Sequence, residues 1–146
     1  MNKEFVIRGQ TASGQTEILN FGGYKPGYAY RLVQFALYPS TNVPASSYEL
    51  TGSVTAGKTA VAPNDPDFNN EGLIATAFTK SESNVAYPVT SLTIINDLFL
   101  ITQDLILMVQ DTGSAPINWQ CRFKSVKMSG PEEVVTNYKQ FTIFDG

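Results

Sequence analysis

The stretch Gly52 to Thr59 reads GSVTAGKT and satisfies the P-loop expression G-x-x-x-x-G-K-[ST] at every position. A P-loop binds phosphate through backbone amides at the N-terminus of the helix that follows it. Pro63 and Pro66 interrupt this chain within two turns of Lys58, so no such helix is expected. The sequence therefore favours a strand end and a glycine turn over a nucleotide site.

The segment Asp65 to Glu71 reads DPDFNNE and concentrates oxygen ligands, as a calcium loop does. Its register does not fit an EF-hand, because counting from Asp65 places Asn70 at the glycine position and Thr76 at the bidentate glutamate position. Asp and Asn also favour turns by bonding to their own backbone. A structural turn is the favoured interpretation, and an irregular metal site is the alternative.

The chain contains no histidine, and Cys121 is its only cysteine. This composition removes the commonest general base, histidine-dependent triads, ordinary zinc sites and any internal disulfide. Asp97 and Asp104 could form a pair of glycosidase carboxylates, but their spacing does not fix a separation, and turn residues are the simpler interpretation. We therefore expect a protein that is not an enzyme and that binds no cofactor and no metal.

Aromatic residues offer a further kind of chemistry, the stacking of sugar rings on aromatic faces. Trp119 lies beside Cys121 on an apolar face and is expected to belong to the core. Tyr38, Tyr48 and Tyr87 fall at strand ends or in loops, where core and interface roles are both open.

Length and charge limit the class of protein and its partners. A chain of 146 residues with 42% hydrophobic and 16% charged residues is expected to fold as one domain over residues 1–146. The net charge of −3 and the scattering of Lys and Arg give no basic stripe, so no nucleic acid is expected as a partner. No window is long and apolar enough for a membrane span or a signal peptide, which predicts no membrane contact and synthesis in a cytoplasm without export.

A period of two dominates the sequence and predicts an all-β fold, a single antiparallel β-sandwich or barrel with at most one short helix. The clearest strand runs from Ile117 to Lys124, and a shift of the apolar phase after Phe123 predicts a β-bulge. The apolar segment from Leu92 to Val109 is compatible with a long helix, but its composition favours two buried strands. Ser129 to Tyr138 predicts the one short helix. Further predicted strands are Phe5 to Gln10, Thr16 to Phe21, Tyr28 to Tyr38, Tyr48 to Thr55, Leu73 to Thr79 and Phe141 to Phe144.

The layout of this acidic all-β chain, with the stretches Asp67 to Ile74 and Ile95 to Leu105, resembles small virion structural proteins of tailed phages and other jelly-roll viruses. The resemblance implies a jelly-roll-like sandwich and a capsid component or decoration protein, located in the virion, that forms homo-oligomers and contacts other virion proteins. Candidate contact residues are the loop side chains that strand periodicity explains least, namely Tyr38, Val43, Pro44, Tyr48 and Phe68. The alternative is a carbohydrate-binding or receptor-binding β-sandwich module.

Overall fold

The computed structural model describes residues 3–21, 27–40, 47–57, 59–81, 89–129, 131 and 136. Within them, eight antiparallel strands form two packed sheets, which confirms the predicted all-β sandwich. The strands are β1 (Glu4–Thr11), β2 (Thr16–Leu19), β3 (Tyr28–Pro39), β4 (Tyr48–Ala56), β5 (Leu73–Ser81), β6 (Val89–Ile95), β7 (Leu105–Asp111) and β8 (Ile117–Lys127).

One sheet has three strands in the order β1-β8-β3, and the other has five in the order β2-β7-β4-β5-β6. The first strand pairs with the eighth, the second with the seventh and the fourth with the fifth. The third and sixth strands touch where the Thr93 hydroxyl donates a hydrogen bond of 3.3 Å to the Phe35 carbonyl. β6 itself pairs with β5, so the third and sixth strands belong to different sheets and the fold is a β-sandwich of two antiparallel sheets.

The core lies between the sheets and is built from alternate residues of their strands. On β8, the predicted stripe is confirmed, because Ile117, Cys121 and Phe123 are fully buried and Trp119 is 6% exposed. On β7 the alternation is equally regular, with Leu105, Leu107 and Val109 inside. In these two strands, the alternation of apolar and polar residues in the sequence therefore predicted the buried face correctly.

The predicted β-bulge in the last strand is wrong in its location. Ser125 continues the buried face of β8, because its hydroxyl accepts a hydrogen bond of 2.9 Å from the Lys3 amide and so satisfies a polar group inside the protein. The extra residue lies in the neighbouring strand β3, where the register against β8 shifts at Val33, beside Phe123.

The apolar segment from Leu92 to Val109 spans two strands, as predicted, joined by residues 96–104. The expectation that both strands are buried is wrong for β6. Leu92 is 53% exposed and Ile94 is 47% exposed, because β6 is the last described strand of its sheet and pairs only with β5 within the described part of the chain.

The other predicted strands are present, and each begins and ends within three residues of its predicted bounds. Two predicted elements near the C-terminus, one strand and one helix, fall wholly or mostly outside the described residues. Phe141 to Phe144 lies outside the described residues. Of the predicted helix from Ser129 to Tyr138, Pro131 and Thr136 have helical backbone and most of the rest is not described, so this helix stays a prediction.

Candidate functional site

The P-loop match is a strand followed by a glycine turn. Gly52 lies inside β4 and faces the other sheet, where an added Cβ would approach Leu37 Cδ2 and Phe35 Cζ to 3.0 Å. Gly57 ends the strand with φ of +139°, a conformation that favours glycine. Both glycines of the expression thus have a structural reason, and residues 59–72 form turns and extended chain in place of a helix.

Those residues cross the outer face of the five-stranded sheet. The Ser53 hydroxyl donates a hydrogen bond of 2.6 Å to the Val61 carbonyl, and the Val61 amide donates one of 3.3 Å to Thr55 Oγ1. Asp67 and Asn70 then accept hydrogen bonds of 2.9 Å each from backbone amides two residues further on. The structural-turn interpretation of this loop is confirmed, and the described residues contain no group of three His, Cys, Asp or Glu side chains arranged for a metal.

The two carboxylates considered as a catalytic pair differ in their surroundings. Asp104 is half-buried, and its Oδ1 accepts a hydrogen bond of 2.7 Å from the Phe21 amide. Asp97 is exposed in the turn after β6. Asp104 therefore holds the chain that leaves β2, which is a structural role.

The three predicted contact residues that the structure describes, Tyr38, Tyr48 and Phe68, do not form one surface. Tyr38 is 56% exposed on the outer face of the three-stranded sheet, whereas Phe68 is 60% exposed in the loop over the five-stranded sheet. Tyr48 is half-buried and packs against the core, and its part in a contact surface stays a prediction. Val43 and Pro44 lie outside the described residues.

An apolar surface covers the outer side of β5 and β6 and consists of Phe68, Phe78, Leu92 and Ile94. Phe78 and Leu92 are directly opposite each other in the ladder, and Ile94 and Phe68 line one cleft of about 190 Å³. Their exposed fractions lie between 39% and 60%. The adjoining strand β6, VTSLTII, has neither charge nor proline, the devices that commonly protect the edge of a sheet.

A basic surface lies on the opposite side of the sandwich and consists of Arg8, Arg31, Arg122 and Lys124. Lys124 is the register partner of Arg31 on β3, while Arg122 and Arg8 follow on the same outward face of β8 and β1. Glu4 is the one carboxylate among the described outward positions of this sheet, so the formal charge there is four minus one, or +3.

Next to the basic surface is a groove of about 480 Å³. The groove is lined by Tyr38 and by the side-chain amides of Asn118 and Gln120. Ala36 lies between them, and its small side chain leaves the space that a larger residue would fill. Arg8 lies at its β1 end. An aromatic ring beside amide and guanidinium donors can bind a flat polar ligand by stacking and hydrogen bonds.

Exposed carboxylates lie on the far side, in the loop over the five-stranded sheet. Asp65, Asp67 and Glu71 are exposed in this loop, each within three residues of Phe68, and are called the acidic rim. Glu49 and Lys80, on outward positions of β4 and β5, form an ion pair of 3.5 Å and cancel in charge. The described charges of this face therefore total −3.

Lys and Arg are scattered along the sequence, and the basic surface was therefore not predicted from it. Arg8 and Arg122 are 114 positions apart in the chain and meet only through the register of β1 with β8. One part of the signal was accessible, because Arg122 and Lys124 are two residues apart on a strand and so share its outward face.

No protein-family model matches the chain, and no curated protein sequence matches it either. The described part of the chain also has no helix with the length and apolar character needed to span a membrane.

Proposed function

We propose that this protein is a non-enzymatic virion structural protein, a capsid component or decoration protein that acts by self-association. The observation that carries the proposal is the apolar surface of Phe68, Phe78, Leu92 and Ile94 beside β6, the last strand of the sheet within the described residues, which has neither charge nor proline. Exposed contiguous apolar side chains of this kind mark interaction sites in folded proteins. Jelly-roll sandwiches recur in viral capsids and in lectins, which supports the class without deciding between them.

The size of the apolar surface favours many weak contacts over one tight dimer. Burying four side chains that are about half exposed contributes roughly 3–6 kcal/mol, because full burial of one contributes about 1.5–3 kcal/mol. The loss of translational and rotational freedom costs about 4–15 kcal/mol per association. A single contact is therefore weak, and a particle that presents many copies gains affinity by avidity.

The proposal is tested by sedimentation velocity and mass photometry over a range of concentrations. Wild type is expected to form oligomers, and a variant with Leu92→Thr and Ile94→Thr is expected to be monomeric, since threonine keeps β-propensity and removes apolar area. The matched control is Ile18→Thr, which changes a side chain that is 59% exposed on β2, at the opposite edge of the same sheet. Circular dichroism verifies that all three proteins are folded.

Tyr48→Ala is unsuitable as a test of self-association, because Tyr48 packs against the core and loss of its ring is expected to destabilise the domain. Phe68→Asp remains a useful single variant. Wild type that stays monomeric at high concentration and binds no particle component would refute the structural role.

The groove beside Tyr38 supports a second candidate function, a carbohydrate-binding module. Tyr38, Asn118 and Gln120 line this groove and place a ring and two amides together on the outer face of the three-stranded sheet. A glycan array with wild type and Tyr38→Ala tests it. Binding that is lost in Tyr38→Ala, together with monomeric wild type, would establish this function in place of the first.

A further inference from the structure

We propose that self-association is head-to-tail, with the basic surface of one copy docked on the acidic rim and apolar surface of the next. This inference rests on the proposed function and specifies which two faces meet. The partner is a second copy of this chain, and each copy uses two different faces.

Charge is segregated between the two sides of the sandwich. Among the described residues, the outward positions of the three-stranded sheet total +3, and those on the outer face of the five-stranded sheet total −3. The whole chain carries −3, so the positive face stands out against an acidic background. Faces of opposite sign attract each other during encounter and suppress wrong pairings.

Each face also has the apolar area that an interface needs at its centre. On the basic side, Val6 is 45% exposed and Tyr38 is 56% exposed, next to the cations. On the acidic side, Phe68 belongs to the loop that carries Asp65 and Glu71 and lines a cleft with Ile94, while Phe78 and Leu92 pair on the same outer face. Specific interfaces combine an apolar centre with a polar rim, and both faces of this sandwich have that composition.

Like-with-like pairing is disfavoured by the same charges. Two basic surfaces would bring +3 against +3, and two acidic rims would bring −3 against −3. The two outer faces of a sandwich point in opposite directions. When the basic face of one copy binds the acidic face of another, the resulting dimer still has one unoccupied basic face and one unoccupied acidic face. Such a contact repeats, and it either closes into a ring or extends as a filament.

An anionic polymer is the competing occupant of the basic surface. The net charge of −3 disfavours its approach at long range, and Glu4 lies within the surface among the cations. A second copy, which brings three separate carboxylates and apolar side chains, fits both features better.

Two charge-reversal variants test the arrangement. The first carries Arg8→Glu and Arg122→Glu, and the second carries Asp65→Lys and Glu71→Lys, which avoids the turn-forming side chain of Asp67. Each is expected to self-associate roughly tenfold or more weakly than wild type, and an equimolar mixture is expected to regain association because each variant retains the face that the other lacks. Association of wild type is expected to weaken with added salt.

Lys80→Glu is the control for net charge. It makes the chain more negative, as the first variant does, but on the acidic side, so association is expected to remain as strong as in wild type or to increase. Equal loss of association in this control and in the Arg8 and Arg122 variant would show a general charge effect and overturn the inference.

The outcomes separate this inference from the proposed function. If the Arg8 and Arg122 variant assembles as wild type does while the Leu92 and Ile94 variant does not, self-association stands and the head-to-tail arrangement is wrong. If wild type is monomeric and binds heparin or single-stranded DNA through Arg8 and Arg122, both proposals fail and the basic surface takes an anionic polymer.

Discussion

The indole Nε1–H of Trp119 donates a buried hydrogen bond of 2.9 Å to Thr11 Oγ1, on the neighbouring strand of the three-stranded sheet. Gly9 lies under the same ring, and a Cβ added there would approach Trp119 Cζ2 to 3.0 Å. The indole is therefore held by a polar contact at its nitrogen and by close backbone packing against its six-membered ring. Trp119 is a core residue and not a sugar-stacking platform.

We expect Trp119→Ala to lower the free energy of unfolding by about 3–5 kcal/mol, because burial is lost and a cavity remains. Thr11→Val is expected to lower it by about 1–3 kcal/mol, since the buried indole N–H loses its acceptor. Urea unfolding followed by circular dichroism measures both changes. An unchanged midpoint for Trp119→Ala would place the side chain at the surface and contradict the assigned faces of β8.

Gly52→Ala is expected to destabilise the domain by about 1–3 kcal/mol, because the new methyl group approaches Phe35 and Leu37 to 3.0 Å in a closely packed core. Gly113→Ala is the matched control, since its added Cβ lies at an ordinary 3.5 Å from Asp111 Oδ2. Thermal unfolding measures both, and magnesium-ATP is expected to leave the melting temperature of wild type unchanged. A rise with ATP would restore the nucleotide interpretation.

Asp104→Ala is expected to lower the free energy of unfolding by about 1–3 kcal/mol, because the partly buried Phe21 amide loses its acceptor. Asp97→Ala changes an exposed carboxylate of the same connection and is expected to shift stability by less than about 0.5 kcal/mol. Chemical denaturation of the two variants makes the comparison. Equal effects would argue against the structural role of Asp104.

Burial raises the pKa of the Cys121 thiol from 9.0 to about 12. Because the thiolate is disfavoured only in the folded state, the stability that this group contributes is fully present below pH 9 and is lost as the pH rises from 9 towards 12. Between pH 9 and pH 12, the free energy of unfolding is therefore expected to fall less for Cys121→Ala than for wild type. A thiol reagent at pH 8 should modify wild type only after unfolding, and fast modification of the native protein would contradict the burial.

The sequence predicted buried faces well where a strand lies inside its sheet. Ile117 to Phe123 alternates because one side of β8 packs on the core and the other faces solvent, and both sheet neighbours of β8 are present. β6 has as apolar a composition, but it lies at the edge of its sheet and its side chains are exposed. Composition does not distinguish a central strand from an edge strand, because the order of strands is set by the whole chain.

Surfaces assembled across strands were the least predictable feature. The basic surface depends on pairing residues near Glu4 with residues near Lys124, a register that local periodicity does not contain. The turn roles of Asp67 and Asn70 were predictable, because those hydrogen bonds reach only two residues along the chain. Ser125 was missed because a buried hydroxyl with a backbone partner is not distinguishable from an exposed one by residue type.

The position of β8 between β1 and β3 has a consequence for how the protein is made. Until Ile117–Lys127 leaves the ribosome, neither β1 nor β3 has its partner in the three-stranded sheet, and the apolar sides of both remain uncovered. Pairing Glu4 with Lys124 closes a loop of about 120 residues, so this sheet forms slowly, on the order of milliseconds to seconds for topologies rich in distant contacts. The nascent chain is thus exposed to premature association through apolar side chains that the folded protein buries between its two sheets.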